Sequence, residues 1–513
     1  MTAAPSAVET ARHLVERLLT LGATEAVLAP GSRSGPLALA LHAADAQGLL
    51  RLHVRVDERE AGFLALGMSK ATGAPVPVVT TSGTAVANLH PAMLEAWHTG
   101  ARVVAVTADR PARMRGTGAS QTTEQRQIFP RVRFVESVAD LVSGTGPVHV
   151  NLELDEPLIE QVTWDFHVDR LAPPRSMPAP GERLPSGPRT VVVAGDGAGP
   201  TARRIAEAGG WPLLAEPSSG VRDDRAIGAY RLLLASHRLA GRIERVVSCG
   251  HPTLSRPVTG LLLRDDLEVV HVGSPLTFPG PAGPNVRFAE WVDADEPDDT
   301  DWFDAWREAD RVARAAIDTL APPAHRLAEA VWRASAGGVL VVGSSSVVRD
   351  LDLVAPGDAP DLVVANRGLA GIDGMVSTAA GVALATGRPT TAVMGDLTFL
   401  HGANGLLVGP HEPRPDLRVV VASDDGGAIF SLLEQGDAAY ADSFERIYGT
   451  PTGTDLAALC RAHGVDHEVV AVDDLVGVLA TPPAGVSVVE VPLDRTSRRA
   501  DATAVAAAVR AAF

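Results

Sequence analysis

Two stretches decide the fold: Thr390–Leu397 (TTAVMGDL) and Leu417–Gly427 (LRVVVASDDGG). The runs Thr390–Met394 and Leu417–Ala422 read as buried strands, and each runs into carboxylates. Ser423–Gly427 lies 27 to 31 positions beyond Asp396, and Leu397–Gly409 leaves room for a crossover helix. Strand, crossover and strand of this kind make a parallel pair, and open parallel sheets collect ligands at the carboxyl ends of their strands. Two carboxylates and a glycine carbonyl there suit Mg²⁺, which takes hard oxygens and shares its shell with a ligand's phosphates.

A second stretch tests how specific that spacing is. Gly195-Asp196-Gly197 also follows a strand-like run, Thr190–Ala194, with Asp223 and Asp224 27 and 28 positions beyond Asp196. There, however, Ser218-Ser219-Gly220 stands where a strand is needed and Arg225 where glycines are needed. Spacing selects two candidates and strand context keeps one. The retained site resembles the diphosphate–metal signature of thiamin diphosphate (ThDP) enzymes, Gly-Asp-Gly and, one crossover later, Asn-Asn. The plain alternative is a pair of acidic turns at strand ends.

Working outward, a chain of 513 residues is roughly three domains at about 150 residues each. Hydrophobic residues make up 46% and charged residues 21%, an ordinary globular balance. The net charge of −17 argues against nucleic acid or an anionic membrane as partner. Of 45 basic residues only Lys70 is a lysine, so arginine is the default cation and no single arginine is strong evidence of a site. Cys249 and Cys460 form no CxxC, against structural zinc or a disulfide framework. Met1–Arg12 lacks a basic stretch followed by an apolar core, and no apolar run approaches the roughly 20 residues of a membrane span. A soluble, cytoplasmic protein is expected.

The first block alternates strands and helices: strands Ala26–Ala29, Arg51–Val56, Val76–Thr80, Arg102–Thr107 and Val148–Leu154, with helices over Pro36–Ala44, Glu58–Thr72 and about Ala85–Trp97. Leu171–Pro188, with six prolines, reads as a linker. A second block holds strands Thr190–Ala194, Arg245–Ser248 and Leu267–Val272 and a helix carrying Trp302 and Trp306. After Pro322-Pro323 comes a helix, Ala324–Ala336, then strands Val339–Val342, Leu362–Ala365, Thr390–Met394, Leu417–Ala422 and Ser487–Val491. The expectation is α/β: three doubly wound domains with mostly parallel sheets, at 1–170, 189–322 and 323–513, with 171–188 as linker.

Asp57-Glu58-Arg59 closes a strand and opens a helix, where the helix dipole favours an anion. The plain reading of Glu58 is an ordinary first-turn acid. The alternative is the glutamate that ThDP enzymes place against the aminopyrimidine ring. Glu58 suits that role in position, and Glu60 is its competitor.

Six further motifs now carry a narrower resemblance: Pro30–Ser34, Val56–Arg59, Thr107–Pro111, Gly343–Arg349, Asn366–Gly368 and Gly371–Gly374. With the metal motif, and in this order, they resemble the ThDP-dependent 2-succinyl-5-enolpyruvyl-6-hydroxy-3-cyclohexene-1-carboxylate synthases of menaquinone biosynthesis (the MenD family). The resemblance spans most of the chain and is thin in the middle block. It implies a pyruvate decarboxylase-like architecture, with a pyrimidine-binding domain at 1–170, a middle Rossmann-like domain and a diphosphate-binding domain at 323–513. It implies a transferase, a carboligase that decarboxylates 2-oxoglutarate and adds the succinyl semialdehyde carbanion to isochorismate in a Stetter-like step. Asp396 and Asp424 would bind Mg²⁺ or Mn²⁺ through side chains and Gly426 through its carbonyl, with Asp425 the alternative to Asp424. Glu58, Ile372, Leu397 and Gly427 would join them around ThDP, with Glu58 catalytic and Ile372 under the bent cofactor. Ser32, Arg33, Arg110, Gln121, Arg256, Ser345, Arg349 and Arg367 would form the substrate pocket, with Ile429 and Phe430 as its apolar wall. Each cofactor site would take domains from two subunits, making a homodimer the minimum and a homotetramer the expected assembly.

Physical chemistry fits the list, since 2-oxoglutarate and isochorismate carry two carboxylates each and guanidinium forks bind carboxylates bidentately. This chain has Leu397 where the general motif has Gly, a habit of the family, and Asp424 where it has Asn. The extra negative charge leaves metal binding expected, with greater sensitivity to pH. Three rivals remain. One is another ThDP reaction, such as acetolactate synthesis or 2-oxoacid decarboxylation. A second is a nucleotide-binding oxidoreductase using Gly195–Gly199, with Glu216 the nearest acidic residue to the expected ribose-binding place. The third is a binding protein without catalysis, which Glu58 and the metal motif argue against.

Overall fold

The computed structural model describes residues 5–169, 181–236, 238–273, 283, 285–298, 300–355 and 357–513. The chain forms two compact units. One comprises Met1–Arg175, Gly368–Arg388 and His401–Leu417, the other Ser176–Arg367, Pro389–Leu400 and Arg418–Phe513.

The first unit holds a six-stranded sheet. Its strands are β1 (Glu25–Leu28), β2 (Arg51–Val54), β3 (Val76–Thr80), β4 (Val103–Asp109), β5 (Arg133–Val135) and β6 (Val148–Glu153), in the order β2-β1-β3-β4-β6-β5. Every ladder in it is parallel. β3 and β4 are buried along their whole length, which is why they read as unbroken apolar runs rather than alternating ones. The helix expected over Ala85–Trp97 is instead two, Thr84–Asn88 and His90–Thr99. Pro91, which has no N–H to give to a continuous helix, sits in the first turn of the second.

Helix Glu58–Thr72 crosses helix Met375–Thr386 at two glycines. A Cβ on Gly67 would lie 2.1 Å from the Thr378 carbonyl oxygen, and one on Gly381 2.2 Å from that of Leu64. Neither backbone can yield without parting the helices. Gly381→Ala should therefore cost about 1–3 kcal/mol or more, the range for overpacked cores. The midpoint of urea unfolding checks it, and an unmoved midpoint would mean that the helices are not held this close in solution.

The second unit holds two larger sheets and a small one. One sheet is built from β8 (Thr190–Ala194), β9 (Leu213–Ala215), β10 (Arg245–Cys249), β11 (Glu268–Val272) and β12 (Val286–Ala289), in the order β12-β11-β10-β8-β9. Another is built from β14 (Val339–Val342), β15 (Leu362–Ala365), β16 (Thr390–Gly395), β17 (Leu417–Ser423), β18 (Asp466–Val469) and β19 (Val486–Pro492), in the order β15-β14-β16-β17-β19-β18. β7 (Glu182–Leu184) pairs with β13 (Val292–Ala294). β7 lies inside the stretch read as linker, of which 171–180 falls outside the described residues. Leu184, at 1% exposure, is what anchors it. Trp306 of helix Asp301–Leu320 and Val505 and Val509 of helix Arg498–Ala511 share one core beneath the β8–β12 sheet.

The strand order β9-β8-β10-β11-β12 reverses direction between β8 and β10, the place where open α/β sheets hold nucleotides. Here that crevice is filled by backbone. A Cβ on Gly195 would lie 2.1 Å from Pro252 N, and one on Gly250 2.6 Å from Ala198 N. Asp196 and His251 bridge the two loops. The amides of Gly195, Asp196, Gly197, Ala198 and Gly199 all donate to backbone carbonyls, those of Cys249, His251, Ser218, Gly195 and Ser219. A phosphate cradle needs such amides unspent.

Glu216, the nearest acidic residue to the expected ribose-binding place, is 1% exposed, and its Oε1 accepts the Leu254 N–H at 2.9 Å. Burial above all pushes its carboxyl up from an ordinary 4.5 to about 8, against the pull of the Leu254 N–H. Between those two values the native state holds a proton that the unfolded state has lost. Stability therefore falls as pH rises through this window, and the full loss is present above it. Glu216→Gln should flatten the fall and raise the melting temperature at the alkaline end. Scanning calorimetry across pH 5–9 checks it, and parallel pH curves for parent and variant would refute it.

Candidate active site

β16 runs straight into helix Asp396–His401, so the Asp396 carboxylate stands where strand ends and helix begins. It is 5% exposed. Its Oδ1 accepts the Leu397 N–H at 2.6 Å and its Oδ2 the Gly426 N–H at 3.1 Å. Asp424 follows β17, and its carboxyl is pushed up to about 7, first by burial and then by Asp396. Its Oδ1 is buried with no hydrogen-bond partner among the described residues.

Asp425 is different. It takes a left-handed φ of 50° and accepts the N–H groups of Thr452 and Gly453 at 2.9 and 3.0 Å. Of the two residues left open, Asp425 spends its carboxylate on a turn, whereas Asp424 faces Asp396, with Arg498 and Arg495 partly offsetting the repulsion. Gly426 has a φ of 153°, and a Cβ there would lie 2.2 Å from the Gly449 carbonyl oxygen. Gly427 donates to that carbonyl at 2.8 Å. A buried and a half-buried carboxylate beside each other, one with an oxygen unpaired among the described residues, fit a divalent cation. Among the described residues no three His, Cys, Asp or Glu side chains gather where they could hold a metal ion.

Around this loop the predicted residues divide. Ile429 and Phe430 lie on the short helix Ala428–Ser431, with the Phe430 ring 5.6 Å from that of Tyr448. Ser345 caps helix Ser346–Val354, and Arg349 donates to its carbonyl at 2.8 Å. Burial, then Arg367, then Arg231 lower Arg349 to about 10. Three guanidinium groups therefore share one neighbourhood. Arg231 was missed, because in an arginine-only chain nothing in its local sequence marks it. Arg367 donates to Thr253 Oγ1 at 3.3 Å, and its Nε is buried without a partner among the described residues. Arg256 stands apart from the others, exposed and paired bidentately with Glu434 at 2.6 and 3.0 Å.

In the first unit, Asp57 caps helix Glu58–Thr72 by accepting the N–H groups of Arg59 and Glu60 at 2.9 and 3.2 Å. Glu58 lines a cleft of about 530 Å³ with Val56, Asn88, Asn404 and Leu407. Its Oε2 accepts from Asn88 Nδ2 at 3.1 Å. Its competitor Glu60 is 1% exposed, takes the Ser377 hydroxyl at 2.5 Å, and is pushed up to about 7, chiefly by burial. Only Glu58 faces open space.

Arg33 is buried and donates to the Leu154 carbonyl at 3.0 Å, beside an exposed Ser32. Arg110 donates to the Ser120 carbonyl at 2.6 and 3.0 Å and to Thr122 Oγ1 at 2.9 Å. Gln121, at a φ of 52°, packs its backbone on Gly83. Gln125, also missed, anchors this loop from below: its amide group bonds the Gly83 N–H, the Ala108 carbonyl and Asn151 Oδ1. Ile372 is half-buried in the loop before helix Met375–Thr386.

Residues 8–128 match the N-terminal TPP-binding domain family of thiamine pyrophosphate enzymes. The crystal structure of benzoylformate decarboxylase from Polynucleobacter necessarius shares the fold, with a TM-score of 0.67 over 96% of this chain and 99% of that one, at 17% identity. The sheets, the family match and the near-full-length relatives together define a ThDP-dependent enzyme of the α/β class.

Its nearer kin are more specific. The chain is 52% identical over 519 residues to 2-succinyl-5-enolpyruvyl-6-hydroxy-3-cyclohexene-1-carboxylate synthase of Nocardioides sp., covering 96% of both chains. It is 45% identical to the synthase of Kineococcus radiotolerans, over 97% of this chain and 98% of that one. For Paenarthrobacter aurescens the identity is 43%, over 99% and 97%. The chain belongs to this synthase family, whose members are transferases. No described helix is long and apolar enough to cross a membrane.

Proposed function

We propose that this enzyme decarboxylates 2-oxoglutarate and joins the remaining four-carbon unit to isochorismate by conjugate addition, giving 2-succinyl-5-enolpyruvyl-6-hydroxy-3-cyclohexene-1-carboxylate for menaquinone biosynthesis. The observation that carries the reading is 52% identity to a synthase of that name over 96% of both chains.

Asp396, Asp424 and the Gly426 carbonyl would hold Mg²⁺ or Mn²⁺ against the cofactor's diphosphate, with Leu397 and Gly427 beside it. Thiamin diphosphate, when bound, supplies an electron sink for the pair that decarboxylation releases. Glu58 would stand against the cofactor's aminopyrimidine ring as a group able to take and return a proton, and Ile372 would lie beneath the cofactor. Arg33, Arg110, Arg349 and Arg367, with Ser32, Gln121 and Ser345, orient substrate carboxylates, and Ile429 and Phe430 exclude water. Arg256 would have to leave Glu434 to join them. In this reading 1–170 is the pyrimidine-binding domain, 189–322 the middle domain and 323–513 the diphosphate-binding domain. The working unit is a cytoplasmic homodimer or homotetramer with sites shared between subunits.

The test is an assay with ThDP, Mg²⁺, 2-oxoglutarate and isochorismate, following isochorismate absorbance and omitting each component in turn. ThDP-dependent loss of isochorismate, with a product mass equal to isochorismate plus succinyl semialdehyde, supports the reading. ThDP-dependent CO₂ release from pyruvate without isochorismate loss would move the activity to a simpler decarboxylase or an acetolactate-type ligase.

A further inference from the structure

Glu95 lies in the middle of helix His90–Thr99 and is 0% exposed. Its carboxylate accepts three consecutive backbone amides of a distant loop: Gly368 at 2.9 Å on Oε1, and Leu369 and Ala370 at 2.6 and 2.8 Å on Oε2. Lys70 Nζ stands 3.8 Å from Oε1. Three successive N–H groups form a concavity that binds an anion, and here the anion is part of the protein. A buried carboxylate accepting three such bonds beside one cation is satisfied as a charge.

The same loop is pinned at both ends by close approach. A Cβ on Gly368 would lie 2.8 Å from His98 Cβ and from Thr99 Cγ2. One on Gly374, whose φ is 58°, would lie 2.0 Å from the Phe63 ring. Between these pins stand Leu369, 54% exposed, and Ile372. So much anchoring under a loop that is only partly buried implies that its position matters more than its burial. Core packing alone is met by the glycine contacts and does not call for a buried charge.

We infer that Glu95 is a positioning residue for ThDP binding. It fixes the loop 368–374 so that Ile372 is presented to the cofactor in one conformation, with Lys70 as its counter-charge. The inference rests on the reading of Ile372 as the residue beneath the cofactor. In E95Q the amide NH₂ meets a backbone N–H that has lost its acceptor, and the negative charge beside Lys70 is removed.

The experiment pairs calorimetric titration of ThDP, with Mg²⁺ present, with hydrogen exchange of the peptide containing 368–370. It is run on parent, E95Q and G368A at a temperature where circular dichroism shows each folded. The G368A variant keeps the Glu95 carboxylate and displaces the loop sterically, its Cβ crowding His98, Thr99 and the Glu95 backbone carbonyl, and carries the test alone if E95Q does not fold. Expected are loss of amide protection and ThDP binding weakened about tenfold, as for misplaced supporting groups elsewhere. A merely structural role lowers the melting temperature and leaves the affinity of the folded protein unchanged, and that result in the folded variants overturns the proposal. Failure of the parent to bind ThDP would instead overturn the cofactor assignment, and this inference with it.

Discussion

Glu58→Gln should leave the fold intact and lower turnover by about 10²- to 10⁴-fold, the usual worth of a positioned proton-transfer group. The substitution keeps the shape of the side chain and its place beside Asn88, which now reaches Glu58 Oε2 at 3.1 Å. What it removes is a group that can take and return a proton. Glu60→Gln is the matched control two positions on. Glu60 is buried against Ser377 and Arg59, so its replacement should alter stability and leave turnover within a few-fold. Steady-state kinetics of both variants, with far-ultraviolet circular dichroism, decide the matter. A nearly normal Glu58→Gln enzyme beside an inactive Glu60→Gln enzyme would hand the role to Glu60.

The second large effect concerns the paired carboxylates, and the two members should respond with opposite signs. Asp396 orders the loop as well as bearing charge, since its oxygens accept the Leu397 and Gly426 N–H groups. Asp396→Ala leaves those donors unmet and removes a metal ligand, so ThDP affinity with Mg²⁺ present should fall about 100-fold. At a ligand concentration 100 times the parent's Kd, the parent gains about 2.7 kcal/mol from binding and this variant only a few tenths. Asp424→Asn keeps an oxygen for the metal and removes the charge that burial and Asp396 oppose. Without cofactor it should melt above the parent, and it should still be stabilised by Mg²⁺ and ThDP. Thermal melts with and without ligand test both. A ligand-induced rise in Asp396→Ala equal to the parent's would remove Asp396 from the site.

Much of this was legible because it rests on local chemistry. Helix Glu58–Thr72 and strands Val76–Thr80, Thr190–Ala194, Val339–Val342 and Leu362–Ala365 fall where their patterns put them. Fully buried parallel strands leave continuous apolar runs with abrupt polar ends. Short or half-exposed strands such as Arg133–Val135 and Asp466–Val469 carry no such run and went unread. The decoy at Gly195 was set aside for want of a strand directly before Asp223. The structure separately weakens the nucleotide-binding reading of the same loop, since its amides are already committed. Illegible altogether was anything depending on a partner far along the chain. Glu95 binds amides 273 to 275 positions away, and Gln125 and Asn151 meet across two elements. A buried Glu in a helix and a Gln in a loop look ordinary until the fold delivers their partners.

The Lys70–Glu95 pair has a practical corollary. Because Lys70 is the sole lysine of 513 residues, its ammonium and the chain's α-amine are the only aliphatic primary amines present. Reductive methylation with ¹³C-formaldehyde, which preserves the positive charge, would place one side-chain probe in a 53.3 kDa protein. That probe would sit beside the carboxylate that grips the 368–370 amides. Its chemical shift would report whether that grip tightens or slackens as ligands bind, with no cysteine engineering and no assignment of a crowded spectrum.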